Sequence, residues 1–311
     1  MSDIQLFKLV KDRGAIELQS RTAALEKQLR SLIEAQMPTF LGIRFLASEY
    51  ITGKTHKGRI DSLGLDENGC PVIIEYKRHR TDNVINQGLF YLDWLRDHQA
   101  EFRWLVMERL GKDVADSVEW TGTRLLCIAA GFTRFDRHAV QQIPRNIELI
   151  RYKLFGEDLL LLELINAVTI ADATASRPID STLPSEPERA KTTSKDKTLV
   201  EQLESASPEM FDLYQQTASH LLSLGDDVQE RRLKLYVAFR RLKNFACVIV
   251  TSQRLSLMLK IDPASVTLEE GFTRDVGNIG HWGTGDLEAS LRSLADLERA
   301  KPLIERSYVE S

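Results

Sequence analysis

The N-terminal half of the chain alternates between the apolar spacing of helices and that of strands. An apolar stripe at helical spacing comprises Leu25, Leu29, Leu32 and Ile33. This helix should end near Met37, because Pro38 disfavours helical geometry in the residue before it. The segments that follow are a strand over Gly42–Ile51, a hairpin, one long helix or two between Val84 and Gly111, and strands over Leu125–Ala130, Ile147–Leu154 and Leu159–Ile165. This order predicts an α/β domain with a mixed sheet flanked by helices.

The C-terminal part has a different pattern. Leucines and an isoleucine alternate with polar residues and a methionine over Arg254–Ile261, which predicts a half-buried strand. Similar strands are expected over Leu235–Phe239, Phe245–Thr251 and Asp286–Arg292, with helices over Glu209–Leu224 and Ala295–Tyr308. The pattern favours a smaller α+β domain with an antiparallel sheet and helices on one side.

A change in composition separates the two parts. Prolines among Ser, Thr, Lys and Glu, without aromatic residues, are typical of a linker over residues 171–207. We therefore expect a domain over residues 1–170 and a second one over residues 208–311.

Composition narrows the class of protein. The longest apolar runs are far shorter than the ~20 residues of a membrane helix, and the first residues do not resemble a signal peptide. A cytoplasmic protein without a membrane partner is the expectation. The cysteines Cys70, Cys127 and Cys247 are scattered, which predicts buried thiols and neither disulfides nor a zinc site.

The hairpin over Gly58–Arg78 carries charge where strands usually bury apolar side chains. Glu75 and Lys77 share one face of the second strand. If the loop is the three residues 67–69 with Gly69 left-handed, paired residue numbers add up to 136 and Asp61 lies opposite Glu75. A two-residue Asn68-Gly69 loop would place the two carboxylates on opposite faces of the sheet.

Two carboxylates opposite each other would repel without a cation. Hard oxygen ligands suit Mg²⁺ or Mn²⁺, which retain waters and accept phosphate oxygens. An ammonium two residues beyond Glu75 would lie on the same face, where it can hold a water or neutralise a transition state. The pattern predicts metal-assisted hydrolysis of a phosphodiester by Asp61, Glu75 and Lys77.

These residues resemble the D-(x)n-(D/E)-x-K core of the PD-(D/E)XK, or restriction endonuclease-like, nuclease superfamily. Gln87 and Tyr91, four apart on one helical face, match the Q-x-x-x-Y signature that follows this core in RecB-like members. The segments GRID, E-x-K and QGLFY together resemble the catalytic domain of NucS-type endonucleases. The resemblance covers residues 22–95 and implies a restriction endonuclease-like mixed sheet flanked by helices.

The resemblance also implies roles for single residues. Asp61 and Glu75 would bind the metal, Lys77 would be the catalytic lysine, and Gln87 and Tyr91 would contact the DNA backbone or support the site. The superfamily often adds an acidic residue from the first helix. Glu26 borders the apolar stripe and is the preferred candidate, whereas Glu34 is expected to point elsewhere and Glu49 is a third candidate. Ile60 stands where the proline of the superfamily's name would be.

Basic residues flank the hairpin on both sides. The candidates for phosphate contacts are Lys54, Lys57, Arg59, Arg78 and Arg80. The alternative for these residues is a solvated rim of the domain.

A second resemblance concerns the C-terminal domain. The run RDVGNIGHWGTGDLEASLRS resembles a domain of unknown function found in bacterial proteins labelled predicted transport proteins. Nothing in the sequence supports transport, because it contains neither a membrane segment nor a nucleotide-binding loop.

The leading hypothesis is therefore a Mg²⁺- or Mn²⁺-dependent DNA endonuclease, with a setting in repair or defence, whose C-terminal domain recognises DNA, a partner or a second subunit. RNA as substrate and a homodimer stay open. The rival hypothesis is a catalytically silent module that binds nucleic acid or protein on a nuclease scaffold.

Overall fold

The computed structural model describes residues 4–11, 14–53, 58–78, 84–168 and 198–311. The chain divides into two compact units. The first comprises Met1–Leu65, Pro71–Asp116 and Thr123–Ser176, and the second comprises Asp66–Cys70, Ser117–Gly122 and Arg177–Ser311.

The first unit is a mixed α/β unit, as the pattern predicted. Its strands are β1 (Leu6–Val10), β2 (Gly14–Leu18), β3 (Ser20–Arg21), β4 (Ile43–Ile51), β5 (Arg59–Asp66), β6 (Pro71–Lys77), β7 (Arg124–Ala129), β8 (Ile147–Phe155) and β9 (Leu159–Val168). Its helices are α1 (Glu26–Ala35), α2 (Met37–Leu41), α3 (Val84–Asp97), α4 (Gln99–Leu110), α5 (Lys112–Asp116) and α6 (Arg134–Gln142).

Seven of these strands form one sheet in the order β3-β8-β7-β6-β5-β4, with β9 also pairing with β8. The strands β6, β7 and β8 are parallel, whereas β5 runs antiparallel to β6 and β9 runs antiparallel to β8. The central strands β6 and β7 are almost entirely buried on both faces, which explains their continuous apolar runs. The acidic residue Glu75 interrupts the apolar run of β6, and it is fully buried there.

The first helix differs from its prediction in two ways. Leu29 and Ile33 are buried, but Leu25 is the exposed N-cap residue and Leu32 is also exposed. The apolar stripe is therefore narrower than predicted. The helix ends at Ala35, with Gln36 outside helical geometry, and Met37, the residue before Pro38, already begins a separate short helix, α2. The expected effect of Pro38 on the preceding residue is therefore wrong, because the proline lies in the first turn of α2, where its missing N–H costs nothing.

The long apolar segment after the hairpin forms α3 and α4, two helices rather than one. Glycine at position 88 lets α3 lie close to the sheet, because a Cβ atom there would come within 2.5 Å of the Leu125 side chain on β7. This close approach fixes the position of the helix that carries Gln87 and Tyr91.

The second unit contains one six-stranded antiparallel sheet with helices, as predicted for the C-terminal part. Its elements are α7 (Leu199–Glu204), α8 (Pro208–Ser223), β10 (Gln229–Arg232), β11 (Val237–Arg240), β12 (Asn244–Val250), β13 (Leu255–Leu259), β14 (Thr273–Asp275), β15 (Leu287–Leu291) and α9 (Leu294–Glu310). The strand order is β10-β11-β12-β13-β15-β14. The helix α7 falls inside the range expected to be a linker, and the rest of that range up to residue 197 lies outside the described residues.

The expected half-burial of β13 is wrong. All five of its residues are buried, because Leu255, Leu257 and Leu259 belong to the main core while Met258 packs into a second apolar cluster on the other face. This second cluster contains Tyr236 and Cys247. All three cysteines are buried free thiols, as expected. Across the described ranges, no helix is long and apolar enough to cross a membrane.

Candidate active site

The hairpin between β5 and β6 has the register that the carboxylate pair requires. Paired residues run from Ser62 opposite Ile74 to Leu65 opposite Pro71, so their numbers add up to 136. Gly69 is left-handed with a φ of 74°, and its N–H donates to the carbonyl of Asp66 at 3.0 Å. Of the two loops that the sequence allowed, the hairpin has the three-residue one, which is the loop that the metal interpretation requires. Continued by one pair, this register places Asp61 opposite Glu75.

Hydrogen bonds lock the two carboxylates to the strands. The backbone N–H of Asp61 donates to Glu75 Oε1 at 3.1 Å, and the backbone N–H of Tyr76 donates to Asp61 Oδ2 at 3.0 Å. Glu75 is fully buried and Asp61 is half-buried. The two acids therefore lie side by side with their backbones fixed by the sheet.

Both carboxyl groups resist ionisation in this setting. Burial, reinforced by the neighbouring charge of Asp61, raises the pKa of Glu75 to about 9 against the opposing effects of the Asp61 N–H and Lys77. Burial also raises the pKa of Asp61, although the N–H of Tyr76 and the ammonium of Lys77 favour its ionised form. A hydrogen bond between the two side chains also favours the protonated form of Glu75, and among the described residues no other partner reaches the buried Glu75 Oε2.

This arrangement fits a divalent cation. Two neighbouring acids can both ionise only at a cost, and a cation bound between them would reverse this electrostatic penalty on both. Within the described ranges, no group of three or more His, Cys, Asp and Glu side chains is arranged to hold a metal ion. The chain thus offers two carboxylates, a number that Mg²⁺ accepts when waters and substrate oxygens complete its shell.

Lys77 lies beside this pair at the end of β6. Its Nζ donates to Glu26 Oε1 at 3.4 Å, and the backbone N–H of Arg78 donates to Glu26 Oε2, also at 3.4 Å. Glu26 is the first residue of α1 and contributes to the electrostatic environment of Asp61. Glu26 therefore lies at the site, where its contact is with Lys77.

The other two acidic candidates have different partners. Glu34 accepts a hydrogen bond of 2.5 Å from the Ser62 hydroxyl, which also bonds the hydroxyl of Tyr76 at 3.3 Å. The expectation that Glu34 points away from the sheet is wrong. The buried side of α1 is centred on Leu29 and Ile33, not on all four predicted apolar residues, and this turns Glu34 toward the sheet. Glu49 binds Arg30 at 2.9 Å and Arg59 at 3.3 Å.

Sequence reasoning missed Arg30. Its Nη1 lies 3.5 Å from Asp61 Oδ1, and its side chain is only 11% exposed. The spacing of Glu26, Arg30 and Glu34, four residues apart on α1, was a signal that could have placed all three on one helical face.

Gln87 and Tyr91 form a hydrogen-bonded pair on α3. Gln87 Nε2 donates to Tyr91 Oη at 3.3 Å, and Tyr91 Oη accepts the backbone N–H of Arg59 at 3.1 Å. Gly58 is needed beside the ring, because a Cβ atom there would come within 2.4 Å of it. Tyr91 thus anchors the start of β5, two residues before Asp61.

The predicted nucleic-acid-binding residues divide into two groups. Arg59 is exposed beside Glu49, and Arg78 is half-buried next to Glu26. Lys54, Lys57 and Arg80 lie outside the described residues.

Comparisons with known proteins match both parts of the chain. Residues 200–311 match the model of a domain of unknown function, DUF5655, which agrees with the expectation of such a domain at the C-terminal end. An uncharacterized protein of Haemophilus influenzae is 25% identical over 299 residues, which cover 94% of this chain and 95% of the relative.

Three solved structures are similar over part of the chain. A repair endonuclease from Pyrococcus abyssi is 19% identical with a TM-score of 0.29 and covers 48% of this chain and 64% of its own. An EndoMS–dsDNA2 complex is 16% identical with a TM-score of 0.25 and covers 47% and 65%, respectively. EndoMS in apo form is 18% identical with a TM-score of 0.21 and covers 41% and 45%.

Proposed function

We propose that this protein is a Mg²⁺- or Mn²⁺-dependent nuclease that hydrolyses phosphodiester bonds of DNA. The single observation that supports the proposal most strongly is the fully buried carboxyl group of Glu75 beside Asp61, a pair of acids whose pKa values are both raised. The resemblance of Asp61, Glu75 and Lys77 to the PD-(D/E)XK core agrees with this chemistry. A setting in DNA repair or defence is part of the same proposal.

Each residue of the site would have a separate role in the reaction. Asp61 and Glu75 would hold the cation, which would supply Lewis acidity toward a phosphate oxygen and a bound water. Lys77, kept in place by Glu26, would orient the attacking water and offset charge on the phosphate. Tyr91, supported by Gln87, would fix the start of β5 and hence the position of Asp61.

The reaction needs only water as co-reactant. The water oxygen bonds to phosphorus, the P–O bond to the leaving sugar oxygen breaks, and the proton released from the water passes to the leaving oxygen through solvent. Glu26 lies 3.4 Å from the Lys77 ammonium and would keep that cation directed at the site during the reaction.

One observation favours the rival function of a non-cleaving module. The Arg30 guanidinium lies 3.5 Å from Asp61, so in a module without metal it would offset part of the negative charge at the site. Arg30 is paired with Asp61, however, and the pKa of the buried Glu75 stays raised beside it, which is why the nuclease is the better-supported function.

The test is cleavage of end-labelled single-stranded, double-stranded, mismatched and flap DNA, and of matched RNA, by the full chain with Mn²⁺, with Mg²⁺ and with EDTA. We expect metal-dependent DNA cleavage that falls to background in Asp61→Asn and Glu75→Gln and by about 100- to 1,000-fold in Lys77→Met. Glu269→Gln is the matched control, because it removes an exposed ion pair with Arg299 in the second unit. Activity that survives in Glu75→Gln, or binding of DNA without cleavage of any substrate, would contradict the proposal and favour the module.

A further inference from the structure

Glu49 adopts a backbone conformation that glutamate rarely takes. Its φ is 51°, and no other non-glycine residue in the described ranges has a positive φ. It lies near the end of β4 (Ile43–Ile51), where neighbouring residues are extended. Side chains with a Cβ atom are disfavoured in this region, and such conformations persist where the surroundings fix them, often next to functional sites.

The conformation coincides with two ion pairs made by one carboxylate oxygen. Glu49 Oε1 accepts from Arg30 Nη2 at 2.9 Å and lies 3.3 Å from Arg59 Nη1. Arg30 belongs to α1 and Arg59 begins β5, so this one oxygen joins three elements around the hairpin. The side chain of Glu49 is 42% exposed, whereas that of Arg30 is 11% exposed.

Arg30 is shared between Glu49 and the candidate metal ligand. While Nη2 is bonded to Glu49, Nη1 is 3.5 Å from Asp61 Oδ1, which is longer than a good charged hydrogen bond. The hydrogen bond from Arg30 is the main cause that lowers the pKa of Glu49, whereas Arg30 has a smaller effect on Asp61 than the Tyr76 N–H or Lys77. The guanidinium charge is therefore directed mainly to Glu49.

We infer that Glu49 is a positioning residue that keeps Arg30 from pairing fully with Asp61 and thereby sets the affinity of the Asp61 and Glu75 pair for a divalent cation. The inference rests on the proposed function and extends it to a residue that would not touch the metal. It differs from the expectation of Glu49 as a third acidic ligand, because its carboxylate is engaged by two arginines.

The electrostatics give the sign of each effect. Without the Glu49 charge, Arg30 would turn its whole charge toward Asp61 and compete with the cation. Without Arg30, the cation would meet two acids that no nearby guanidinium offsets. A unit charge about 6 Å from a bound cation in a partly exposed site changes its affinity by about five- to tenfold.

The experiment is titration calorimetry of Mn²⁺ into the full chain, which measures binding without substrate. We expect Glu49→Gln to weaken Mn²⁺ binding about five- to tenfold and Arg30→Gln to tighten it by a similar factor. The double variant should bind Mn²⁺ as tightly as Arg30→Gln alone, because Glu49 acts through Arg30. A return of the double variant to the wild-type affinity would mean that the two charges act on the cation independently, and it would overturn the inference. Glu269→Gln is again the control and should match the wild type.

Folding is checked by melting temperature, with Glu49→Asn as the second variant because asparagine tolerates a positive φ. This variant should melt within about 2 °C of the wild type and still bind Mn²⁺ more weakly. Equal affinities in Glu49→Gln, Glu49→Asn and the control, or weaker binding in Arg30→Gln, would overturn the inference while leaving the nuclease proposal standing. A wild type that binds no Mn²⁺ would overturn both.

Discussion

Two buried glutamates in the middle of sheets, Glu75 in the first unit and Glu288 in the second, have opposite electrostatic environments. Glu288 is ion-paired with Arg274 and lies 3.3 Å from Arg254. Burial opposes its ionisation, but the Ser256 hydroxyl and the two guanidinium groups outweigh burial and lower its pKa. Glu75 is as inaccessible to solvent but more densely surrounded by protein, and its pKa is raised to about 9.

The difference separates a structural acid from a candidate ligand. Glu288 on β15 lies opposite Arg274 on β14, so the sheet itself supplies the cation as a cross-strand pair. At Glu75 the cross-strand neighbour is another acid, Asp61, and the nearby cation Lys77 is held by Glu26. Arg30 offsets only Asp61, at 3.5 Å, so in the proposed function the remaining charge of the two acids would be met by a cation from outside the chain.

The largest expected effect concerns pH in the absence of metal. The folded-state pKa of Glu75, about 9, is above its ordinary value of 4.5. The stabilisation from its protonated form is therefore complete below about pH 4.5 and is lost as the pH rises toward 9.

Glutamine mimics the protonated acid and does not titrate. In EDTA, Glu75→Gln should be more stable than the wild type by on the order of 5 kcal/mol at pH 8, and the gain should shrink to about 1 kcal/mol at pH 5. Chemical denaturation at both pH values measures this. A constant difference between pH 5 and 8 would mean that Glu75 titrates normally.

Addition of metal should remove the difference between the two glutamates. At 100 times its dissociation constant, Mn²⁺ should stabilise the wild type by about 2.7 kcal/mol and leave Glu75→Gln unchanged. Glu288→Gln should respond as the wild type does. Melting curves with and without Mn²⁺ provide the measurement, and a wild type that does not respond would argue against a metal at Glu75.

Removal of the second acid should have the opposite effect on stability. Glu288→Gln leaves Arg274 and Arg254 without their anion and should destabilise the fold by about 1–2 kcal/mol, less than a fully buried pair because both arginines reach solvent. DNA cleavage should be retained. If Glu288→Gln and Glu75→Gln shift stability in the same direction at pH 8, the contrast between the two acids is wrong.

The smallest expected effect concerns the support of the site. Tyr91→Phe loses the hydrogen bond to the Arg59 N–H and should cost about 1 kcal/mol of stability. Tyr214→Phe, which loses a hydrogen bond to Glu230 in the second unit, is the matched control. Similar losses of stability are expected, but only Tyr91→Phe should slow cleavage, by about tenfold. Equal cleavage rates in Tyr91→Phe and Tyr214→Phe would mean that Tyr91 contributes only to packing.

The sequence reduced the register of the hairpin to two alternatives. Only the requirement that Asp61 and Glu75 share a cation favoured the three-residue loop, and the period of two along a strand then placed the two acids side by side. These are local rules, in which one left-handed glycine determines which side chains face each other.

Other features could not be predicted because they depend on distant contacts. The strands β1, β2 and β10 carry mostly exposed or half-buried residues and lack a clear alternation of apolar and polar positions. The left-handed conformation of Glu49 contradicts the usual preference of glutamate, and the approach of Arg30 to Asp61 depends on how α1 packs on the sheet.

The most direct test is a crystal of the full chain soaked in Mn²⁺ and measured for anomalous scattering. The proposed site predicts a peak within bonding distance, about 2.0–2.3 Å, of a carboxylate oxygen of Asp61 and of Glu75 Oε2. Loss of this peak in Glu75→Gln crystals would complete the assignment. Crystals that hold Mn²⁺ elsewhere but show no peak between Asp61 and Glu75 would contradict it.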